Sequence, residues 1–219
     1  FYGGSRLDAV ADATLTAEAA GDHFGFAVGT AGDVDGDGRA DVVVGAYQND
    51  AAGSGAGRVY VCYLDPPPAA ERPGLALAGS YTTGFFGCAV GTAGDVNGDG
   101  HPDLIVGESR SDGAATDAGA IYVYYGGPGA DVAPDLVQIG TTANEYFGWS
   151  VGTAGDVNGD GYDDFLVGAP NAHPAGGMVA TGVAYLYFGG PVLSVLELVG
   201  AANGDQFGYS VGTAGDVNG

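Results

Sequence analysis

Apolar and polar positions along the chain sort into short β-type segments that recur in the same order at a regular interval. Residues 24–31, 41–45, 58–63 and 75–78 are one set of four predicted strands, and 58–63 (Arg58-Val59-Tyr60-Val61-Cys62-Tyr63) alternates with period two. Residues 86–90, 104–106, 120–124 and 136–139 repeat the order, as do 147–151, 165–167, 183–187 and 195–198, and a fourth set opens at 207–211. Phe1-Tyr2-Gly3-Gly4 matches Tyr124-Tyr125-Gly126-Gly127 and Tyr187-Phe188-Gly189-Gly190, so the chain is expected to start at the end of a strand.

A unit of about 60 residues with four short strands and glycine-rich turns fits the radial repetition of a propeller better than a sandwich. One sheet cannot cover both of its apolar faces, so neighbouring units must do it. The expected fold class is all-β: a β-propeller of four-stranded antiparallel blades, here a partial propeller of three complete blades plus flanking strands. The expected boundaries within this single propeller domain are an outer strand of a preceding blade at 1–23, blades at 24–80, 81–141 and 142–200, and the inner strand of a following blade at 201–219. Closed propellers have four to eight blades, so the chain reads as part of a longer one. Its unclosed edges and apolar blade face are expected to favour self-association.

Between the first and second predicted strands lies an acidic stretch, Gly29-Thr30-Ala31-Gly32-Asp33-Val34-Asp35-Gly36-Asp37-Gly38-Arg39-Ala40-Asp41, which recurs at 91–103 and 152–164 and begins again at 212. Oxygen-bearing side chains fall at alternate positions, as Asp33, Asp35 and Asp37; Asp95, Asn97 and Asp99; and Asp156, Asn158 and Asp160. Ca2+ takes six to eight oxygens, and a short loop with acids at every second residue points them inward. The seventh residue, Arg39, His101 or Tyr162, varies in a way that suits a ligand offered through the backbone carbonyl. The closing acid is the ninth residue, Asp41, Asp103 or Asp164. An EF-hand loop closes at its twelfth residue, which here is Val44, Val106 or Val167, and a strand rather than a helix comes next. Three Ca2+ sites are expected, and the last copy supplies only Asp216 and Asn218, an incomplete site.

The chain has 219 residues, 27 acids against five arginines and no lysine, and a formal charge of -22; three Ca2+ would leave about -16. So acidic a surface excludes binding to a phosphate backbone and attraction to anionic lipid. No apolar run is long enough to span a bilayer. The chain does not open with Met or a signal-like segment, so any targeting sequence is expected outside it. The two cysteines, Cys62 and Cys88, stand where other units carry Tyr124 and Tyr187, and Phe26, Trp149 and Tyr209; they read as free, buried thiols.

Phe24-Gly25, Phe86-Gly87, Phe147-Gly148 and Phe207-Gly208, each followed by the acidic stretch, together with Val167-Gly168-Ala169-Pro170, resemble the FG-GAP repeats of the integrin alpha-subunit propeller. The last motif is degraded to Val44-Gly45-Ala46-Tyr47 and Val106-Gly107-Glu108-Ser109 in the other units. The resemblance implies a seven-bladed propeller with Ca2+ between first and second strands, in extracellular adhesion proteins or secreted bacterial ones. It points to a non-catalytic adhesion or recognition module. A protein or glycan partner is expected on the rim opposite the calcium loops, where Tyr47, Gln48, Asn49 and Asp50, Glu108, Ser109 and Arg110, Asn171, His173 and Met178, and His23, Phe85 and Tyr146 lie. The rival readings are part of a secreted polysaccharide-degrading enzyme and a structural spacer. No recurring histidine supports the enzyme, which would need a carboxylate pair between blades, involving Glu108 or Glu145.

Overall fold

A computed structural model describes residues 14–63, 74–174 and 179–215. Twelve strands and no helix occur among them: β1 (Ala27–Gly32), β2 (Asp41–Ala46), β3 (Arg58–Cys62), β4 (Ala76–Ala78), β5 (Phe86–Gly94), β6 (Asp103–Glu108), β7 (Ala120–Tyr124), β8 (Leu136–Ile139), β9 (Ser150–Gly155), β10 (Asp164–Ala169), β11 (Val183–Phe188) and β12 (Ser194–Val199). They pair in sequence order as three four-stranded antiparallel sheets, β1 to β4, β5 to β8 and β9 to β12. Strands β1, β5 and β9 pack beside one another, so each blade's first strand is its innermost. The chain is a partial propeller.

The core lies between blades rather than within one. Val43, Val59, Val61 and Leu77 of the first sheet share a cluster with Phe86, Leu104, Val106 and Tyr124 of the second. Ile105, Ile121 and Val123 of the second share another with Phe147, Phe165, Val167, Val183 and Tyr187 of the third. The phenylalanine of each Phe-Gly pair is the wedge: Phe86 is 1% exposed and meets Tyr122 edge-on with ring centroids 5.4 Å apart. Gly57, Gly119 and Gly182 at the foot of each third strand bridge in parallel to Phe86, Phe147 and Phe207 of the next unit.

Several strands begin later than the periodicity predicts. Residues 24–26 are turn, and Phe147 makes only its bridge before β9 starts at Ser150. Gly25 and Gly148 have φ of 81° and 84°, and His23 and Tyr146 just before the Phe are also left-handed at 54° and 56°, which bends the chain out of extended geometry. The flanking strand expected at the start of the chain, on Phe1-Tyr2-Gly3-Gly4, lies outside the described residues, and the one expected at 207–211 is not formed: Phe207 makes one bridge and no ladder extends from it among the described residues.

The rim opposite the acidic loops needs correction as well. Asn49 and Glu108 are buried, so they do not belong to an exposed partner surface, and Ser109 is buried at the edge of a cavity, while His23, Asp50, Arg110 and His173 are exposed. Met178 lies outside the described residues. Glu145 and Glu108 are spoken for structurally. Asp22, Glu145 and Asp205 occupy the same place in successive units, and each accepts a turn amide three residues earlier, from Ala19, Thr142 and Ala202. Blade two has Gly84 there instead, and Glu108 reaches in from the end of β6: a Cβ on Gly84 would lie 2.4 Å from Glu108 Oε1.

This transposed carboxylate accepts a 2.5 Å hydrogen bond from the Tyr122 hydroxyl, but its buried Oε1 makes no well-formed hydrogen bond. Burial pushes its pKa up to about 7, against the pull of Tyr122. A carboxyl whose folded pKa lies above the unfolded value adds stability that is complete below the unfolded pKa and lost as pH rises through the folded one. Between pH 4.5 and 7 the wild type therefore loses about 3 kcal/mol from this group. Glu108→Gln keeps the Tyr122 acceptor and removes the loss, so its urea midpoint, measured in saturating calcium, should exceed the wild type's at pH 8 and match it near pH 4.5. A wild-type-like midpoint at pH 8 would contradict the assignment.

Candidate metal centre

The recurring Gly-Thr-Ala-Gly run aims each acidic loop. Register shifts at the end of β1, β5 and β9 mark a bulge. Its glycine, Gly32, Gly94 or Gly155, has φ of 77°, 84° or 70°, and donates its N–H to Oγ1 of Thr30, Thr92 or Thr153. A bulge of this kind kinks the strand and turns the acidic loop away from the strand direction.

Within the loops, backbone amides converge on the acids. Asp95 Oδ1 accepts from Gly98 at 2.8 Å and Asp99 at 3.0 Å, and its Oδ2 accepts from Gly100 at 2.8 Å. Asp156 does the same with Gly159, Asp160 and Gly161, and these N–H groups, Gly161 first, hold its carboxyl below the usual range. The third and fifth positions each accept from the amide two residues on: Asp35 from Asp37, Asn97 from Asp99, Asn158 from Asp160, and then Asp37 from Arg39, Asp99 from His101, Asp160 from Tyr162. The side-chain oxygens are thus fixed by their own loop.

The loops differ in one respect that matters for charge. In the first, carboxylate oxygens of Asp33, Asp35 and Asp37 all lie within 4.8 Å of one another, and Asp33 Oδ1 is buried without a hydrogen bond. In the second and third, the central residue is Asn, and its Nδ2 donates to Asp99 or Asp160 at 3.0 or 2.9 Å. An all-oxygen set with an orphaned, buried carboxylate oxygen fits a hard divalent cation such as Ca2+, which would be held by Asp33, Asp35 and Asp37 with a charge-matched cluster. The other loops offer Asp95, Asn97 and Asp99, and Asp156, Asn158 and Asp160, in the same frame. Asp216 and Asn218 lie outside the described residues.

The ninth acid has a second task that its spacing does not reveal. Asp103 is fully buried; its Oδ2 accepts from Val96 at 2.9 Å and its Oδ1 from Gly126 at 3.0 Å. Asp164 repeats this with Val157 and Gly189, and Asp41 accepts from Val34 at 3.0 Å. Each closes the loop onto its own start and, in blades two and three, onto the Gly-Gly pair after the third strand. Burial pushes Asp103 up to about 7 despite the Gly126 and Val96 amides, and Asp99 and Asp95 add to the rise.

The second glycine of that pair ties blade to blade. Gly127 and Gly190 donate at 2.8 Å to the carbonyls of Val34 and Val96 in the preceding loop. Asp163 pairs twice with Asp95, through Asp163 N to Asp95 O and Asp95 N to Asp163 Oδ2, both at 2.9 Å. Nor does the side chain of the seventh residue vary freely: the His101 ring lies against Gly36 and Gly127, and the Tyr162 ring against Gly98 and Gly190. The recurrence of the Gly-Gly pair was the one sequence signal that could have located these contacts.

Replacing Asp103 with Ala strips the acceptor from two buried amides at once. With each orphaned donor costing about 1–3 kcal/mol, a loss of about 2–6 kcal/mol is expected. The measurement is a urea melt in chelator, so that the loss is not that of a cation. A midpoint equal to wild type would show that water or another group takes these amides over.

The FG-GAP repeat family model matches residues 24–62, 86–124 and 147–187, together more than half of the chain. Human phosphatidylinositol-glycan-specific phospholipase D is 36% identical over 210 residues, covering 86% of this chain and 24% of that protein. Mouse integrin alpha-IIb is 35% identical over 167 residues (72% and 16%), and Drosophila melanogaster integrin alpha-PS2 34% over 170 residues (71% and 12%). The chain thus spans about a quarter or less of the length of these relatives. Three matched repeats coincide with three sheets, each with its Phe-Gly wedge and acidic loop, and on these grounds the chain belongs to the FG-GAP repeat family, with an integrin-like propeller.

Proposed function

We propose that the chain is a calcium-stapled adhesion or recognition segment of an extracellular protein, binding a protein or glycan on the rim opposite its acidic loops and catalysing nothing itself. The observation that carries the calcium reading is the first loop, with its three clustered carboxylates and the orphaned Oδ1 of Asp33. Similarity to integrin alpha subunits supports adhesion or recognition, and an extracellular place for it. Among the described residues no helix is long and apolar enough to cross a membrane.

Ca2+ held at the loops supplies charge neutralisation. The chain's own residues do the rest: Asp41, Asp103 and Asp164 brace the loops, and Gly127 and Gly190 couple each loop to the next blade. Isothermal titration with Ca2+ should give three sites per chain, and Asp33→Asn with Asp37→Asn should give two. A stoichiometry unchanged by that double substitution would sink the assignment.

The similarity to phosphatidylinositol-glycan-specific phospholipase D favours a second reading, in which the segment is a non-catalytic part of a larger secreted enzyme. Glycan-array binding lost on rim substitution would favour recognition. Turnover of a polysaccharide or of a lipid-linked glycan by this chain alone would favour the enzyme.

A further inference from the structure

Where the first strands approach the rim opposite the loops, equivalent positions of successive units carry Phe26, Cys88, Trp149 and Tyr209. Three are aromatic; in blade two the ring is replaced by a thiol. Above that gap lies a cavity of ≈ 330 Å³, lined by Phe26, Tyr47, Phe85, Cys88, Ser109, Arg110, Trp149 and Tyr209. Phe26, Tyr47 and Phe85 form one contiguous aromatic group, with centroids 4.6 and 5.0 Å apart, and Trp149 and Tyr209 another, at 5.4 Å. Phe26 and Tyr209, at the two open ends of the partial propeller, are 62% and 54% exposed.

Arg110 is exposed at this cavity, its guanidinium 4.7 Å from the Phe85 ring centroid and 6.0 Å from that of Tyr146. In a chain of charge -22 it has no acidic partner among the described residues, whereas Arg39 lies 3.5 Å from Asp37 and Arg58 2.9 Å from Glu18. Its forked donors, with the guanidinium beside the Phe85 and Tyr146 rings, remain available to a planar carboxylate. The nearest glutamate in sequence, Glu108, is buried and turned to Tyr122.

Resting on the reading of this rim as a recognition surface, we propose that the cavity binds an anionic saccharide, a pyranose bearing a carboxylate. Its C–H faces would lie on the electron-rich faces of Trp149, Tyr209 or Phe26, and its carboxylate would accept the paired N–H groups of Arg110. The size fits a small ring-shaped ligand held by mostly apolar walls with few polar groups. A peptide added as an extra strand is disfavoured because the lining residues come from four successive units rather than from one strand edge. At 0.15 M salt the acidic surface beyond about 8 Å is largely screened, so it does not bar an anion from Arg110.

Calorimetric titration of the calcium-loaded chain with a glucuronate-terminated disaccharide and with its uncharged methyl ester tests this. The acid should bind at least tenfold more tightly than the ester. Arg110→Gln should erase that difference, and Cys88→Phe, which installs the ring present in blade one, should abolish binding of both. Trp149→Ala gives a second loss should Cys88→Phe fold poorly. Equal binding of acid and ester, acid binding that survives Arg110→Gln, or capture of an acidic peptide but not the sugar would overturn the proposal. If no uronate binds but another array ligand does so in a rim-dependent way, the recognition reading stands while this inference falls; if no ligand depends on the rim, the recognition reading falls too.

Discussion

Stripping divalent cations from this chain is expected to lower its melting temperature by about 15–30 °C. A ligand that binds only the folded state adds RT ln(1 + [L]/Kd), about 2.7 kcal/mol at a hundredfold excess over Kd. Three independent sites then add about 8 kcal/mol, comparable with the whole net stability of a typical domain, and at this size each kcal/mol moves the midpoint by about 2–4 °C. The sign is reinforced by charge, because the clustered carboxylates of Asp33, Asp35 and Asp37 repel one another when no cation lies between them. Asp33→Asn with Asp37→Asn should therefore have two effects: a lower midpoint in calcium, by about a third of the full shift, and a smaller further drop on adding chelator. Differential scanning calorimetry with and without EDTA measures both, and a midpoint indifferent to EDTA would end the staple reading.

The acidic loops and the three sheets were legible because each is written locally: alternate acids over nine residues, then an aliphatic strand. Strand register within a blade depends on the same short-range pattern, since Val42, Val43 and Val44 find their β1 and β3 partners at short spacing. What the local pattern does not record is contact between units. Glu108 looks like a rim residue until Gly84 is seen to leave a hole for it, and no periodicity links those two positions. Asp103 reads as a ligand because it is the last acid in a row, yet its burial and its bond to Gly126 depend on the end of a strand 23 residues away. His101 and Tyr162 vary in type because any flat ring can lie on the preceding loop's glycine, a constraint on shape that side-chain chemistry does not disclose. The late start of β1 and β9 has a different cause: the Phe-Gly pair carries apolar character like a strand, but its dihedrals serve the blade junction.

That junction explains both halves of the family motif and sets the second large effect. The penultimate residue of each second strand, Gly45, Gly107 or Gly168, faces the glycine of the next unit's Phe-Gly pair: a Cβ there would lie 2.1 Å from Gly87 O, 2.0 Å from Gly148 O or 1.9 Å from Gly208 O. These obstacles are backbone atoms, which no rotamer change can move, so relief requires the blades to part. Gly107→Ala is expected to cost about 3 kcal/mol, at the upper end of ordinary overpacking. Gly148→Ala adds a left-handed penalty of about 1–2 kcal/mol, since φ there is 84° and its Cβ would also lie 2.3 Å from Ala120 O, giving about 4–5 kcal/mol in all. Gly204→Ala isolates the dihedral term: φ is 83° and nothing lies within 4 Å, so about 1–2 kcal/mol is expected. Urea midpoints in saturating calcium should fall in the order Gly204→Ala, Gly107→Ala, Gly148→Ala, from least to most damaged. Gly107 has no left-handed dihedral to lose, so a Gly107→Ala midpoint no lower than that of Gly204→Ala would mean that the blades tolerate a methyl at their closest approach, and the glycine pair would then need another explanation than contact.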